Sequence, residues 1–180
     1  MKISLFPILL VIFLTSCSSG QKQPVLFDFN QFPCDLASQS DIAKALNLSV
    51  VDVLFQSVTN QGDIKVCTYF KNSKPTPEPL IHLTVESNIV NPSNYDNLFM
   101  NFKNNGIPSS EGTSMFKSFP DERFKAIYSE DNPKFNQVYL NIDDKYLLNL
   151  QYDKSLAKGK ENVELARKMI EIFLYGGPNQ

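Results

Sequence analysis

Residues 135–153 read FNQVYLNIDDKYLLNLQYD, and two predicted strands follow one another in this stretch. We place them at 135–142 and 145–153. The break between them, Ile142-Asp143-Asp144-Lys145, predicts a hairpin turn. Strands that follow one another without an intervening helix indicate an antiparallel sheet and not a repeated β-α-β unit.

Further strands are predicted on the N-terminal side of this hairpin. Ile81, Leu83 and Val85 alternate with polar residues, as in a strand that is buried on one face. Four more strands are predicted, at 50–58, 63–70, 113–118 and 123–129. Residues 74–79 contain three prolines, and we expect a loop there because proline cannot donate a hydrogen bond to a neighbouring strand.

Three helices are predicted from apolar residues that recur at helical spacing. The first covers 39–47, and either Ser38 or Ser40 can cap it. The second begins at Ser93 and ends at Asn104-Asn105-Gly106, and the third runs over 161–174. Their apolar positions are Ile42, Ala45 and Leu46, then Tyr95, Leu98, Phe99 and Phe102, then Val163, Ala166, Ile170 and Phe173.

The order of these elements, α-β-β-β-α-β-β-β-β-α, predicts an α+β fold. We expect an antiparallel sheet of about six to seven strands, packed with three helices and tied by one disulfide. The predicted domain of roughly 145 residues is long enough to bury a sizeable core.

The first seventeen residues have the features of a bacterial signal peptide. Lys2 supplies positive charge, and the apolar run 3–14 is shorter than the about 20 residues that span a bilayer. Leu14-Thr15-Ser16-Cys17 resembles the lipobox of bacterial lipoproteins, whose Cys is diacylated and becomes the first residue of the mature chain. The resemblance implies a lipid anchor on Cys17. An ordinary cleaved signal and an uncleaved anchor are the alternatives.

This motif divides the chain into four parts. They are a signal peptide at 1–16, a lipidated tether at 17–31, a single α+β domain at 32–175 and a tail at 176–180. Ser18 and Ser19 follow the Cys in place of Asp, which is similar to the outer-membrane sorting pattern. We therefore expect a palmitate-bearing lipoprotein of the bacterial cell envelope, held in the outer membrane and facing the periplasm.

Two cysteines remain if Cys17 carries lipid. An even number of cysteines in an oxidising compartment favours a disulfide between Cys34 and Cys67. Two buried free thiols are the alternative. A metal site is disfavoured because the chain has no Cys-x-x-Cys motif and no histidine to accompany it.

The segments around both cysteines resemble a group of uncharacterised bacterial lipoprotein domains. The shared features are Phe32-Pro33-Cys34-Asp35-Leu36, a short helix ending at Ala45-Leu46-Asn47, Val66-Cys67-Thr68-Tyr69 and a closing helix with Val163-Glu164-Leu165-Ala166. The resemblance spans roughly 33–175 and implies a disulfide-tied α+β fold without assigned catalytic residues. The tryptophan that is common after the second Cys in the group is absent here.

The sequence contains no recognisable catalytic set. His82, the one histidine, lies on a predicted strand opposite Ile81 and Leu83, which favours a structural role. Three acidic pairs lie in or beside predicted turns and are expected to be solvated, namely Asp143-Asp144, Asp121-Glu122 and Glu130-Asp131. We therefore predict no catalytic residues, no metal site and no cofactor.

The aromatic residues leave two interpretations open. Eight of them lie between positions 116 and 152 in the second half of the chain: Phe116, Phe119, Phe124, Tyr128, Phe135, Tyr139, Tyr146 and Tyr152. In the first interpretation, these rings line a groove that binds a glycan, a peptide or a lipid. In the second, they form a core with tyrosines at its edges. Phe27, Phe29 and Phe32 alternate with polar residues, so the second half of the tether is expected to lie against the domain.

The leading functional hypothesis is a non-enzymatic envelope lipoprotein that binds a protein partner. A carrier of a small hydrophobic ligand or glycan is one alternative, and a hydrolase that uses carboxylates is another. A nucleic-acid partner is disfavoured, because the formal net charge of −2 at pH 7 would not attract phosphates.

Overall fold

The structure is a computed structural model, and it describes residues 27–31, 33–73, 75–87 and 93–176. This part of the chain forms three α-helices and nine strands. The helices are α1 (Gln39–Ala45), α2 (Ser93–Asn105) and α3 (Lys160–Tyr175). The strands are β1 (Val53–Gln61), β2 (Ile64–Lys71), β3 (Glu78–Glu86), β4 (Ile107–Ser109), β5 (Gly112–Ser114), β6 (Lys117–Ser118), β7 (Ala126–Ser129), β8 (Phe135–Ile142) and β9 (Tyr146–Asp153).

Seven of the strands form one antiparallel sheet, in the order β1-β2-β3-β9-β8-β7-β6. The strands β4 and β5 pair separately as a small hairpin. The sheet therefore consists of an N-terminal group of three strands and a C-terminal group of four, joined where β9 pairs with β3. The predicted α+β class, the antiparallel sheet and the three helices are confirmed.

The predicted hairpin turn between β8 and β9 is also confirmed. The Lys145 amide donates to the Ile142 carbonyl at 3.0 Å, and Asp143 and Asp144 both have φ of 54°. Left-handed conformations at both central residues are typical of the turn type that matches the twist of a hairpin. The Asp144 amide donates to Asn141 Oδ1 at 3.0 Å and holds the turn in place.

The two faces of the sheet support two separate cores. The larger core packs α1 and α3 against one face and includes Ile42, Tyr69, Leu148, Ile170 and Phe173. The smaller core covers part of the opposite face, where α2 lies, and is formed by Tyr95, Phe99, Phe116, Ile127 and Leu147. The apolar positions predicted for the three helices all lie in or against these cores.

Several predicted strand boundaries are wrong. The strand expected at 50–58 begins only at Val53, because Val50–Asp52 forms a 3-10 turn. The strand expected at 113–118 is two short strands in different sheets, β5 and β6. Between them Phe116 turns into the smaller core, and the Met115 amide donates to Asp131 Oδ2 at 2.9 Å in place of a neighbouring strand.

The strand expected at 123–129 begins at Ala126, because Asp121 organises a turn before it. The Asp121 carbonyl accepts from the Phe124 amide at 3.1 Å, and its carboxylate accepts from the Arg123 amide at the same distance. The strand β4, which pairs with β5, was not predicted from the sequence. Its three residues are too few to show a periodic pattern.

The proline-rich range 74–79 is not entirely a loop. Glu78 and Pro79 belong to β3, where the register shifts so that Tyr69 pairs with Ile81 while Phe70 pairs with Pro79. Leu80 is the extra residue of this bulge. Proline is tolerated at a bulge because the ladder of hydrogen bonds is already interrupted there.

Candidate functional site

The predicted disulfide is present. Cys34 lies in the 3-10 turn Pro33–Asp35, Cys67 lies in the middle of β2, and their Cα atoms are 5.3 Å apart. Both cysteines are buried in the larger core, so the alternative of two free thiols is wrong. The bond ties the chain before α1 to the sheet. Cys17, the predicted lipidation site, lies outside the described residues.

The end of the predicted tether is packed on the sheet. Phe27 and Phe29 contact the ring of Tyr146, with centroids 5.3 Å and 5.2 Å away. The ammonium of Lys65 lies 4.5 Å from the centre of the Phe29 ring and donates to the carbonyls of Phe29 and Gln31. The expectation that this segment lies against the domain is confirmed for these two phenylalanines, and Phe32 is outside the described residues.

His82 occupies the middle of a row of uncharged polar residues that crosses the sheet. Thr68 Oγ1 lies 2.9 Å from His82 Nδ1, and Gln151 is the paired residue on β9. Partial burial lowers the pKa of His82 below its usual value. Neither neighbour in register is a carboxylate, so the arrangement lacks the acid that orients a catalytic histidine.

Each of the three acidic pairs has at least one carboxylate with a structural partner, while Glu122 and Asp143 are exposed as expected. Asp144 accepts from Lys125 at 3.0 Å and from Asn141 at 2.7 Å, and these hydrogen bonds lower its pKa. Glu130 Oε1 accepts from Asn162 at 2.7 Å, and the Asp131 carboxylate accepts from the Met115 amide. Among the residues that the structure describes, no group of three or more His, Cys, Asp or Glu could hold a metal ion.

Asp121 was expected to be solvated, but the structure does not place its carboxylate in open solvent. Its carboxylate is partly buried beneath two arginines, with Arg123 at 2.7 Å and Arg167 at 3.4 Å. The hydrogen bonds from Arg123 lower the pKa of Asp121. Arg123 also reaches Glu171 on α3 at 2.8 Å, so the network ties the segment before β7 to that helix.

The eight aromatic residues between positions 116 and 152 contribute mainly to the cores. Four are buried, and most of the others are half-buried at the core edges. Phe116 and Tyr139 meet edge to face at 5.4 Å under α2, and Phe119 meets Tyr128 in the same way at 6.0 Å. The structure therefore places these rings where the interpretation as a core expects them.

A groove of about 470 Å³ lies between α1 and the C-terminal half of α3. Its lining is apolar at Ala45, Ile172 and Tyr175, and charged at Asp41, Lys44, Arg123, Lys168 and Glu171. No sequence pattern indicates this groove, because α1 and α3 lie at opposite ends of the chain.

Asp41 is the buried group of this groove. Its residue is 4% exposed, and its Oδ2 accepts from the hydroxyl of Ser38, which is the N-cap of α1. The other oxygen, Oδ1, is buried and has no hydrogen-bond partner. A buried polar atom of this kind is uncommon in a native fold and calls for an explanation.

The two edge strands of the seven-stranded sheet differ in length and in charge. The edge strand β6 has only two residues and carries Lys117, as is common in edges that resist further pairing. The opposite edge strand, β1, has nine residues, VLFQSVTNQ, without a charge or a proline. No strand of the described chain pairs with the outer edge of β1.

Large exposed hydrophobic side chains are concentrated at this second edge. We call the edge of β1 and the turn before it the β1 surface, defined by Val50, Val51, Leu54 and Phe55. Val51 is 71% exposed and Phe55 is 50% exposed. Ile64, beside the other end of β1, is also exposed.

Comparison of the chain with protein-family models, with curated proteins and with solved structures gives no match. Within the described part of the chain, none of the helices combines the length and the apolarity that crossing a membrane requires.

Proposed function

We propose that this chain is a lipid-anchored, non-enzymatic lipoprotein of the bacterial cell envelope that binds an extended segment of a partner protein along β1. The observation that carries the proposal is the β1 surface, a long uncharged edge strand with exposed Leu54 and Phe55 that follows the exposed Val51. The nine residues of the strand span about 30 Å, and at its start the Val53 carbonyl already accepts a hydrogen bond from the Gln39 side chain.

Physical chemistry favours an extended peptide as the occupant of this edge. Alternate residues of an edge strand direct their N–H and C=O groups away from the sheet, and a partner strand satisfies them. Leu54 pairs with Phe70 and Phe55 with Tyr69, so their side chains lie on opposite faces of the sheet. A partner strand with apolar residues on both of its faces would therefore be contacted on both.

The anchor is proposed on the lipobox-like sequence Leu14-Thr15-Ser16-Cys17. Acyl chains on Cys17 would hold the protein on the membrane, since each buried CH₂ contributes about 0.8 kcal/mol. Ser18 and Ser19 favour the outer membrane, with the domain facing the periplasm. We propose no catalytic role, because His82 and at least one carboxylate of each acidic pair have structural partners.

The partner proposal is tested by crosslinking in cells of the native host, with a photoreactive residue in place of Leu54. We expect one envelope protein to be captured through an extended segment, and Phe55→Lys to abolish the capture. Met100→Lys is the matched control, because Met100 is as exposed as Phe55 but lies on α2. Equal capture by the two lysine variants would refute the β1 surface as the binding site.

The anchor is tested separately with Cys17→Ser. Intact mass and membrane fractionation should show an acylated wild-type chain that begins at Cys17, and a variant that carries no acyl group. An acylated variant would overturn the assignment of Cys17.

A further inference from the structure

Gln39 connects α1 to the start of β1. It is the first residue of α1, and its side-chain nitrogen donates to the carbonyl of Val50 at 2.9 Å and to the carbonyl of Val53. A side-chain amide nitrogen carries two hydrogens, so both of its donors are in use. The amide of Gln39 therefore lies against the backbone at the point where β1 begins.

Asn72, which follows β2, satisfies the two carbonyls between these. Its backbone amide donates to the Asp52 carbonyl at 2.8 Å, and its side chain donates to the Val51 carbonyl at 3.1 Å. Each carbonyl of residues 50–53 thus accepts a hydrogen bond from within the chain. The exposed Val51 can therefore contact a partner through its side chain, whereas its carbonyl is already engaged.

The same hydrogen bonds show which backbone groups of β1 face outward. The Asp52 carbonyl bonds to the residue that follows β2, so it faces that strand. Backbone groups alternate in direction along a strand, and those of Val53 and Phe55 therefore face the outer edge. Both outward groups of Val53 are engaged, since its N–H donates to the Val50 carbonyl and its carbonyl accepts from Gln39. Within the described part of the chain, the outward edge that can accept a strand thus begins at Phe55.

The regular part of this edge is also short at its other end. The register with β2 runs without a shift from Val53 to Val58 and changes before Gln61. Such a shift bends the strand and interrupts its ladder of hydrogen bonds. A partner strand therefore finds outward donors and acceptors in regular positions at Phe55 and Ser57.

We propose that Gln39 is a positioning residue of the β1 binding site, which closes the edge at Val53 and thereby sets the register of a bound strand at Phe55 and Ser57. This inference rests on the proposed function. Outward groups recur at every second residue, so a strand on an edge without such a stop could slide by two residues and still pair. Gln39 occupies the position to which the strand would slide.

The partner segment that fits this edge is an extended stretch of about five uncharged residues, opposite residues 54–58. A charged side chain in the segment would meet no opposite charge, because β1 carries none. Beyond the paired stretch, an apolar residue of the partner would contact Val51 through its side chain alone, since the Val51 carbonyl is engaged.

The test measures the register with a disulfide between Gln56→Cys and single cysteines placed along the partner segment that is captured through Leu54. Gln56 is exposed and lies between the two outward-facing residues, where directly opposed Cα atoms of antiparallel strands are about 4.5 Å apart. A disulfide needs Cα atoms within about 7 Å, so it favours the directly opposed residue over one that is two positions away. Cys34 and Cys67 are already paired and do not compete.

We expect one partner position to form the disulfide in the chain that retains Gln39. In Gln39→Met, which keeps the length of the side chain but cannot donate, a second position two residues away should form it as well. Gln39→Ala should give the same second position. Ser40→Ala, exposed and next to Gln39 on α1, is the matched control and should keep the single position.

The outcomes separate this inference from the proposed function. A single, unchanged position in both Gln39 variants would overturn the role of Gln39 and leave β1 as the binding site. Several positions in the chain that retains Gln39 would overturn a fixed register. Capture of no partner through Leu54 by a folded, acylated chain would overturn the proposed function, and this inference with it. Lower stability of the Gln39 variants would weaken every disulfide alike and would not create a second position.

Discussion

Phe29 and Tyr146 stack with ring centroids 5.2 Å apart and an angle of 7° between their planes. Tyr146 is the first residue of β9, so the stack joins the segment before α1 to the hairpin of β8 and β9. The ammonium of Lys65, at the start of β2, lies 4.5 Å from the centre of the Phe29 ring. Three parts of the chain that are distant in sequence thus meet at one end of the sheet.

Removing the ring of Tyr146 should release the segment 27–31. We expect Tyr146→Ala to lower the free energy of unfolding by roughly 1–3 kcal/mol, because two aromatic contacts and their buried area are lost. Hydrogen exchange should show lost protection in 27–31, while Tyr146→Phe keeps it. Unchanged exchange in the alanine variant would contradict this packing.

Loss of the disulfide should destabilise the fold without changing its topology. The cysteines are separated by 33 positions, and closing a loop of that length contributes about 3–4 kcal/mol on the chain-entropy model. The double variant Cys34→Ala/Cys67→Ala should lose about this amount in denaturant titration. Peptide mapping of the wild-type chain without reductant should recover the Cys34–Cys67 link, and free thiols at both positions would exclude it.

His82 should make stability fall as the pH drops below about 6.5. Burial lowers its pKa in the folded chain, so the unfolded chain binds a proton more readily. Stability should therefore be full above the unfolded pKa of about 6.5 and fall as the pH drops through the folded value. Because His82 is the one histidine, His82→Gln should remove this step from a pH series of unfolding curves.

Asn162 forms a buried polar connection that the apolar pattern of α3 does not reveal. Its side-chain oxygen accepts a hydrogen bond from the Asn136 side chain at 2.9 Å, and its side-chain nitrogen donates to Glu130. Its backbone carbonyl accepts from the Tyr152 hydroxyl. Asn162→Ala should cost about 1–3 kcal/mol of unfolding free energy, since Asn136 would lose its partner. Lys160→Ala, exposed nearby on the same helix, should change the unfolding midpoint little, and equal losses would argue against the network.

Two glycines with left-handed conformations differ in the space around them. Gly106 has φ of 70°, and a Cβ there would lie 2.8 Å from the Ser114 carbonyl oxygen. Gly62 has φ of 58° and no atom within 4 Å of its would-be Cβ. Gly62→Ala should lower the free energy of unfolding by about 1–2 kcal/mol, which is the strain of a left-handed conformation, and Gly106→Ala should lower it by more. Equal losses in thermal unfolding would show that the contact at Gly106 relaxes freely.

Local patterns in the sequence explain why much of the fold could be predicted. The alternation at Ile81, Leu83 and Val85 marks one buried face, and all three are buried. The short strand Ile107–Ser109 escaped prediction, because three residues cannot show a period. The lipobox-like motif and the cysteine pair were visible in the sequence, whereas the β1 surface and the groove between α1 and α3 were not.

The sequence by itself determined the hairpin at 135–153 and the helices, and it favoured the pairing of Cys34 with Cys67, because turn chemistry, periodicity and cysteine number are local or countable properties. Only the tertiary structure decided that β9 pairs with β3, which leaves β1 at the edge of the sheet. It also decided that Asp41 and Lys168 line one groove. A pattern of burial tells which residues leave water, but it does not tell which buried faces meet, since that depends on the packing of all elements together.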